Sequence, residues 1–236
     1  MFPQSPTLGT IDIQEGVRLA MRRVYLWMTL GLFTTGIIAL LVATNSTILN
    51  LIASNPFIFY GALIGELILV VTLSAAINKL SPAVAALIFF AYAALNGVTI
   101  SLIFLLYTGT GIAFSFFATA SMFAAMSVVG YTTHVDLSKF GSLLMMGLIG
   151  MLIASVINIF LASSVLYWII SYAGIALFVA LTAYDTQWIK NATTQAVSAG
   201  DTQLESRVGL IGALRLYLDF INLFMLILRV AGGRRR

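Results

Sequence analysis

The sequence has no cysteine, one histidine and very few charges, and each scarcity excludes a class of protein. Without cysteine the chain can form no disulfide, no thiolate nucleophile and no cysteine metal site. With His134 as the single histidine, it cannot build a multi-histidine metal or haem site. Charged residues make up 8% of the 236 residues, whereas a soluble domain has about 25%. So little charge indicates an integral membrane protein.

Hydrophobic residues make up 61% of the chain and are gathered into seven long runs. Each run has about the 20 residues that a helix needs to cross the hydrocarbon of a bilayer. Runs of this length without alternation do not fit the strands of a membrane barrel. We therefore predict an all-α integral membrane protein with seven transmembrane helices. The runs cover residues 24–44, 57–77, 83–106, 112–131, 142–162, 166–189 and 208–230.

Helix-initiating and helix-breaking residues separate the runs. Asn55 and Pro56 open the second run, Ser81 and Pro82 open the third, and the stretch 109–111 separates the third from the fourth. The predicted domains are a cytoplasmic amphipathic segment at 1–23, a seven-helix transmembrane domain at 24–231 and a basic tail at 232–236.

The loop charges predict an orientation. Loops on the side opposite to the amino terminus, 45–56, 107–111 and 163–164, carry no basic residue. The positive-inside rule therefore predicts a cytoplasmic amino terminus, and the charge of +4 reports orientation rather than nucleic-acid binding. The basic residues on the amino-terminal side are Arg18, Arg22, Arg23, Lys79, Lys139, Lys190 and Arg207.

The carboxyl tail conflicts with this rule. A seventh crossing puts Arg229 and residues 234–236, which are all arginine, outside the cell. A re-entrant last run would instead keep the tail inside. We expect a full crossing, because the run at 208–230 is long enough to span.

Three acidic residues lie within the runs: Glu66, Asp185 and Asp219. A carboxylate in hydrocarbon costs roughly 2.5–3.5 kcal/mol on insertion scales, so each must be paired, protonated or hydrated. Each also has a purely structural interpretation. Asp219 could form a salt bridge with Arg215 one turn earlier, Asp185 could be hydrated at the membrane interface, and Glu66 could bond a neighbouring backbone.

A more specific interpretation is that Asp185 and Asp219 meet. Two carboxylates in contact at low dielectric cannot both ionise, so they share a proton. Such a pair is a proton-sensitive latch, because losing the shared proton turns attraction into repulsion. Two carboxylates with carbonyl oxygens are also suitable ligands for a hard cation such as Ca²⁺.

The two aspartates stand in motifs that resemble the Bax inhibitor-1 family, the transmembrane BAX inhibitor motif proteins. Residues 183–187 read Ala-Tyr-Asp-Thr-Gln, and residues 213–224 read Ala-Leu-Arg-Leu-Tyr-Leu-Asp-Phe-Ile-Asn-Leu-Phe. Weaker matches at 24–28, 73–74, 130–132 and 136–138, and the Gly-Gly-Arg near the end, extend the likeness over essentially the whole chain. The bacterial inner-membrane branch is the most similar.

This resemblance implies a seven-helix bundle in which the last helix is central and six helices wrap around it. It further implies a pH-sensitive calcium leak channel in a bacterial inner membrane, with the lipid bilayer, Ca²⁺ and protons as partners. No cofactor is expected beyond Ca²⁺ as a permeant or bound ion. Some relatives instead regulate a membrane-anchored AAA protease, which leaves a non-transporting regulator as an alternative.

Residue by residue, the family's paired aspartates fall on Asp185 and Asp219, as pH sensor, ion path and candidate Ca²⁺ ligands. Its second-helix glutamate falls on Glu66, a further candidate for the ion path. The family's second-helix arginine is not matched, because Ile77 stands at its position. The candidate latch partners are therefore Lys79, Arg215 and Asn222.

Other classes fit less well, and we predict that the protein is not an enzyme. An intramembrane aspartyl protease also pairs two aspartates on neighbouring helices. However, Asp219 lacks the glycine-flanked motif of those enzymes, and no Pro-Ala-Leu helix follows it. A structural protein whose aspartates only fix the bundle is the remaining alternative. His134, Asp136 and Ser138 are too close along the chain for a hydrolytic triad.

Overall fold

A computed structural model of the protein describes residues 7–77 and 79–233, with side chains from residue 13 onward. Every regular element in these ranges is helical, which confirms the predicted all-α class. The α-helices are α1 (Thr7–Thr44), α2 (Ser46–Ser54), α3 (Pro56–Ala76), α4 (Pro82–Ile100), α5 (Ile103–Leu106), α6 (Gly109–Thr132), α7 (Gly141–Leu161), α8 (Ser164–Ser198) and α9 (Thr202–Ala231), with a short 3₁₀-helix at Leu137–Phe140.

Seven helical segments of the described chain are long and apolar enough to cross a membrane, as the sequence predicts. They correspond one to one with the seven hydrophobic runs, and α5 continues the third of them. The segments are Ile13–Thr44, Pro56–Ala76, Pro82–Leu106, Gly109–Thr132, Leu137–Leu161, Ser164–Ser198 and Thr202–Ala231.

The helices extend beyond the hydrophobic runs wherever polar residues can continue them outside the hydrocarbon. The sixth run ends at 189, but α8 continues to Ser198, and α9 begins at Thr202 rather than at 208. Gly200 ends α8 in the left-handed conformation (φ 65°), which glycine adopts without steric cost. Asp201 then caps α9 by accepting a hydrogen bond from the Leu204 amide at 2.9 Å. The connection between the two helices is therefore only three residues long.

Two of the predicted loops contain helix. The loop predicted at 45–56 forms α2, because Asn45 caps its first turn and Leu49 and Ile52 are buried against α1. The stretch 109–111 belongs to the first turn of α6, since Thr108 is the N-cap and accepts a hydrogen bond from the Gly111 amide at 3.1 Å.

The described chain divides into two compact units. Unit 1 comprises the chain up to Leu102 together with Ile189–Arg215, and unit 2 comprises Ile103–Trp188 together with the chain from Leu216 onward. Both α8 and α9 contribute residues to each unit. The division into an amino-terminal segment, a transmembrane domain and a tail stays a prediction.

Unit 1 is held together by close contacts between α1 and α4. The Thr35 hydroxyl donates a hydrogen bond to the Ala93 carbonyl at 2.8 Å. A Cβ at Gly97 would lie 2.6 Å from the Thr35 carbonyl oxygen, so glycine lets the two backbones approach. An ion pair of 3.0 Å between Arg23 and Glu205 ties α1 to the first turn of α9.

The last helix is the most buried of the seven spans. In its most apolar window 67% of the residues are buried within the protein, against 39% or less in the other spans. It runs without a break for 30 residues, or about 45 Å at 1.5 Å per residue, which is enough for a full crossing. Its position at the centre of six other helices stays a prediction.

We predict that the connection between α8 and α9 is cytoplasmic and that residue 236 is external. The natural absence of cysteine allows single cysteines to be introduced at the exposed Ser198 and at Arg236. An impermeant maleimide applied to intact cells should label Arg236→Cys but not Ser198→Cys, and both should react after lysis. Equal protection of the two positions would instead show that the seventh helix does not cross.

Candidate functional site

Asp185 on α8 and Asp219 on α9 are both buried in unit 2, with 7% and 4% of their surface exposed. Their helical neighbours are buried as well. Thr182 and Thr186 flank Asp185, and the Thr182 hydroxyl donates to the Phe178 carbonyl of its own helix at 2.8 Å. These hydroxyls make the surroundings of Asp185 polar although the helix is apolar overall.

The register of α8 against α9 places the two aspartates within about one helical turn of each other along the helix axes. The three-residue connection makes the helices antiparallel neighbours. Leu181 on α8 and Leu223 on α9 belong to one buried cluster. Asp185 follows Leu181 by one helical turn, and Asp219 precedes Leu223 by one helical turn. Cluster membership of these leucines is compatible with pairing of the two aspartates, which stays a prediction.

A second contact between the same helices puts the two aspartates about one helical turn out of level. A Cβ at Gly174 would lie 2.9 Å from Cδ1 of Leu226, so these two residues are level. Counting equal numbers of residues from them towards the aspartates reproduces the alignment to within about one helical turn.

Helix α6 packs against both α8 and α9 beside the aspartates. Gly130 is so close to Ala183, two residues before Asp185, that an added Cβ would lie 2.8 Å from the Ala183 Cα and even nearer its carbonyl oxygen. Phe220, which follows Asp219, contacts Phe123 of α6 edge to face with ring centroids 5.5 Å apart. The aspartates thus lie where three helices are in close contact.

Gln187 clamps the chain between α6 and α7 onto α8, two residues beyond Asp185. Its Oε1 accepts from the Leu137 amide at 2.7 Å, and its Nε2 donates to the Val135 carbonyl at 2.8 Å. Sequence reasoning included Gln187 in a motif but gave it no role. The sequence feature that could have indicated this role is the long polar side chain of Gln187 at the end of the sixth hydrophobic run, two residues after Asp185.

Asp136 has a local structural role in the same connection. Its Oδ1 accepts hydrogen bonds from the Ser138 amide at 3.0 Å and the Ser138 hydroxyl at 2.6 Å, which caps the 3₁₀-helix. These bonds to Ser138, helped by Lys139, hold the pKa of Asp136 below its usual range. The serine donates directly to the aspartate rather than to His134, which is exposed.

Glu66 lies in unit 1 and accepts hydrogen bonds through both carboxylate oxygens. The Asn96 amide donates to Oε2 at 3.1 Å, and the Thr99 hydroxyl donates to Oε1 at 2.7 Å. These bonds tie α3 to α4. Sequence reasoning missed both donors, although their spacing of three residues puts them on one face of an apolar helix. A role for Glu66 in the ion path stays a prediction.

The candidate latch partners differ in their surroundings. Lys79 is exposed in unit 1, and Arg215 is half-buried on α9, one turn before Asp219. Asn222 is exposed, and its amide donates to the Leu218 carbonyl at 2.8 Å. The role of each as a latch partner stays a prediction.

The acidic residues offer few ligands for a resident metal. Among the described residues, no group of three or more His, Cys, Asp or Glu side chains could hold an ion together. Ca²⁺ usually takes six to eight oxygen ligands. Asp185 and Asp219 would supply only part of such a set.

Seven membrane-spanning helices with two buried aspartates on the last two define a class of polytopic membrane protein. The family model described as "Inhibitor of apoptosis-promoting Bax1" matches residues 17–236. The chain therefore belongs to the Bax inhibitor-1 family, which confirms the resemblance seen in the sequence.

Similar proteins occur in distant bacteria. The inner membrane protein YbhL of Escherichia coli K12 is 45% identical over 99% of both chains. An uncharacterized protein of Borreliella burgdorferi is 43% identical over 90% of this chain and 91% of its own, and the uncharacterized protein RP147 of Rickettsia prowazekii is 39% identical over the full length of both. Together with the seven apolar helices, the likeness to YbhL supports an integral location in the inner membrane.

We predict that Gly130→Ala destabilises the contact between α6 and α8. The new methyl group would collide with backbone atoms of Ala183, which cannot rotate away, so a loss of about 1–3 kcal/mol is expected. Gly150→Ala on α7 is the matched control, because nothing lies within 4 Å of its Cβ position. Thermal unfolding of the purified protein in detergent should show a lower midpoint for Gly130→Ala alone. Equal midpoints would contradict the close contact.

Proposed function

We propose that this protein is a pH-sensitive cation leak channel, with Ca²⁺ as the permeant ion, and that Asp185 and Asp219 control its opening. The observation that supports it most directly is the burial of two carboxylates on the neighbouring helices α8 and α9, within about one helical turn of each other. Membership of the Bax inhibitor-1 family supports the same function.

The proposed gate depends on one proton shared between two carboxylates. While that proton is present, a hydrogen bond between Asp185 and Asp219 holds α8 and α9 together. When it is lost, two negative charges about 4 Å apart repel by about 4 kcal/mol at an effective dielectric constant of 20. A repulsion of this size can shift a two-state equilibrium between closed and open forms by roughly three orders of magnitude.

The same carboxylates suit the passage of Ca²⁺. A hard cation prefers oxygen ligands, and the hydroxyl groups of Thr182 and Thr186 adjoin Asp185 on α8. Conduction requires binding that is strong enough to admit the ion and weak enough to release it. Two carboxylates without a third meet that requirement better than a full coordination cage.

We predict that Asp185→Asn and Asp219→Asn each abolish the pH dependence of cation flux. Either change removes the coupling between the two carboxylates, so the double variant should be little worse than either single one. Ca²⁺ flux into proteoliposomes, measured between pH 5 and pH 8 with an entrapped indicator, tests both expectations.

Asp136→Asn is the matched control, because Asp136 is an exposed aspartate of the same unit. Its pH response should equal that of the wild type. Additive effects of the two buried substitutions, or a pH response that survives in either single variant, would show that the residues act separately. A folded wild type that conducts no cation at any pH would contradict the channel and favour the regulator of a membrane-anchored protease.

We predict that Glu66→Gln lowers Ca²⁺ flux without moving its pH midpoint if Glu66 lines the ion path. The charge would be lost while the coupling between Asp185 and Asp219 stays intact. Thr99→Val is the control, since it removes one hydrogen bond to Glu66 but leaves the carboxylate. Unchanged flux in a well-folded Glu66→Gln variant would assign Glu66 to the packing of α3 against α4.

A further inference from the structure

Unit 2 contains a pocket of about 560 Å³ where α7 ends, α8 begins and α9 ends. Its polar and aromatic lining comes from Asn158, Ser163, Ser164, Tyr167, Trp168 and Arg229. The pocket is separate from the aspartates. Arg229 follows Asp219 by ten residues, or about 15 Å along α9.

Hydrogen bonds fix the turn that forms one wall of this pocket. Ala162 ends α7 in the left-handed conformation (φ 48°), which turns the chain sharply into α8. The Asn158 side-chain oxygen accepts from the Ser163 amide at 3.1 Å, and the Ser163 hydroxyl oxygen accepts from the Leu166 amide at 3.3 Å. The Ser163 hydroxyl hydrogen can therefore still be donated to a ligand.

The opposite wall is anchored as well. The Thr108 amide donates to the Gly233 carbonyl at 2.9 Å, which ties the chain after α9 to the start of α6. Gly111 makes this approach possible, because a Cβ there would lie 2.6 Å from the Gly233 nitrogen. Arg229 is thus carried by a helix end that is held in place.

The pocket favours a negative charge. The guanidinium carbon of Arg229 lies 5.0 Å from the centre of the Tyr167 ring, so the ring orients the cation. The acidic residues of unit 2 are Asp136, Asp185 and Asp219, and none of them lines the pocket. The amino terminus of the 35-residue helix α8 adds a partial positive charge, which the carboxyl ends of α7 and α9 at the same pocket offset, so Arg229 is the group that attracts an anion.

The position of the pocket along the helices indicates which kind of anion it meets. It lies at the ends of three membrane-spanning helices, which is the level of lipid headgroups. Tyr167, Trp168 and Tyr172 form a chain of ring contacts there, with centroids 5.7 Å and 6.0 Å apart, as in the aromatic belt of membrane proteins. Leu161 and Val165, next to the lining residues in sequence, are 63% and 68% exposed and are suited to acyl chains.

We propose that this pocket binds the phosphate of an anionic phospholipid headgroup, with Arg229 as its main ligand and the hydroxyl groups of Ser163 and Ser164 as hydrogen-bond donors. The planar guanidinium can hold two phosphate oxygens at once, and charge-assisted bonds of this kind are about twice as strong as neutral ones.

The fluorescence of Trp168 reports lipid binding directly, because this residue lines the pocket. The changes Trp27→Phe and Trp188→Phe leave it as the single tryptophan of the chain. This variant is reconstituted in phosphatidylcholine vesicles containing small fractions of brominated phosphatidylglycerol or brominated phosphatidylcholine. We expect the fluorescence of Trp168 to be half-quenched at a roughly five-fold lower membrane fraction of brominated phosphatidylglycerol than of brominated phosphatidylcholine. This is the factor that one basic residue at a membrane surface contributes.

Substitutions at Arg229 test whether the preference comes from the pocket. Arg229→Gln should abolish it, and Arg229→Lys should weaken it, because lysine keeps the charge but loses the planar fork. Arg18→Gln is the matched control, since Arg18 is an exposed arginine on α1 outside the pocket, and the preference should persist. Circular dichroism melts establish which variants are folded. If Arg229→Gln is not folded, Tyr167→Leu takes its place. This variant lacks the ring beneath the guanidinium and should also weaken the preference for the anionic lipid.

Three results would overturn the proposal. One is equal quenching by the two lipids in the parent protein. Another is a preference that survives in the folded Arg229→Gln variant or, where that variant is unfolded, in both Arg229→Lys and Tyr167→Leu. The third is a preference that inorganic phosphate abolishes while sodium chloride of equal ionic strength does not, which would assign the pocket to a soluble anion.

Discussion

The cost of keeping a carboxylate inside a bilayer governs the arrangement of the last two helices. Asp185 and Asp219 are both buried, and two isolated carboxylates would each need separate compensation. A shared proton compensates both at once, but only if the helices hold the two groups at the same level. The close approach of α6 to α8 at Gly130 and the ring contact of Phe220 with α6 keep the surrounding helices in place.

Helix α9 is held at both ends, and this limits how a gate at Asp219 can work. Glu205 in its first turn pairs with Arg23 in unit 1, and the chain after its last turn bonds to Thr108 in unit 2. Each of these contacts opposes sliding of α9 within its own unit. In the proposed mechanism, repulsion at Asp219 therefore acts by bending α9 or by moving α8 away from it. The anchored Arg229 would then keep its place at the membrane boundary while the middle of the helix moves.

Hydropathy predicts the seven spans because length and apolar composition are the properties that a bilayer demands. The same reasoning misses α2 and the extensions of α8 and α9, because helices that leave the hydrocarbon continue through polar residues with ordinary caps. It also misses the clamp of Gln187, whose partners are backbone atoms about fifty residues away in sequence. The two aspartates stand out in the sequence, because a charged residue within an apolar run is costly, and both are buried in the structure. Their function stays a prediction.

Glu66 and, in the proposed gate, the two aspartates are compensated in physically different ways. Each oxygen of Glu66 accepts a hydrogen bond from a neutral donor, Asn96 or Thr99, and neither donor gains or loses a proton in the physiological range. Hydrogen bonds from these neutral donors do not depend on a change in the donors' own charge. They can therefore hold α3 and α4 together over a wide pH range. A proton shared between Asp185 and Asp219 is itself exchanged with the medium, so the bond it makes lasts only while the proton stays. The proposed gate therefore belongs to the aspartates, where the bond that holds the helices is the one that pH can break.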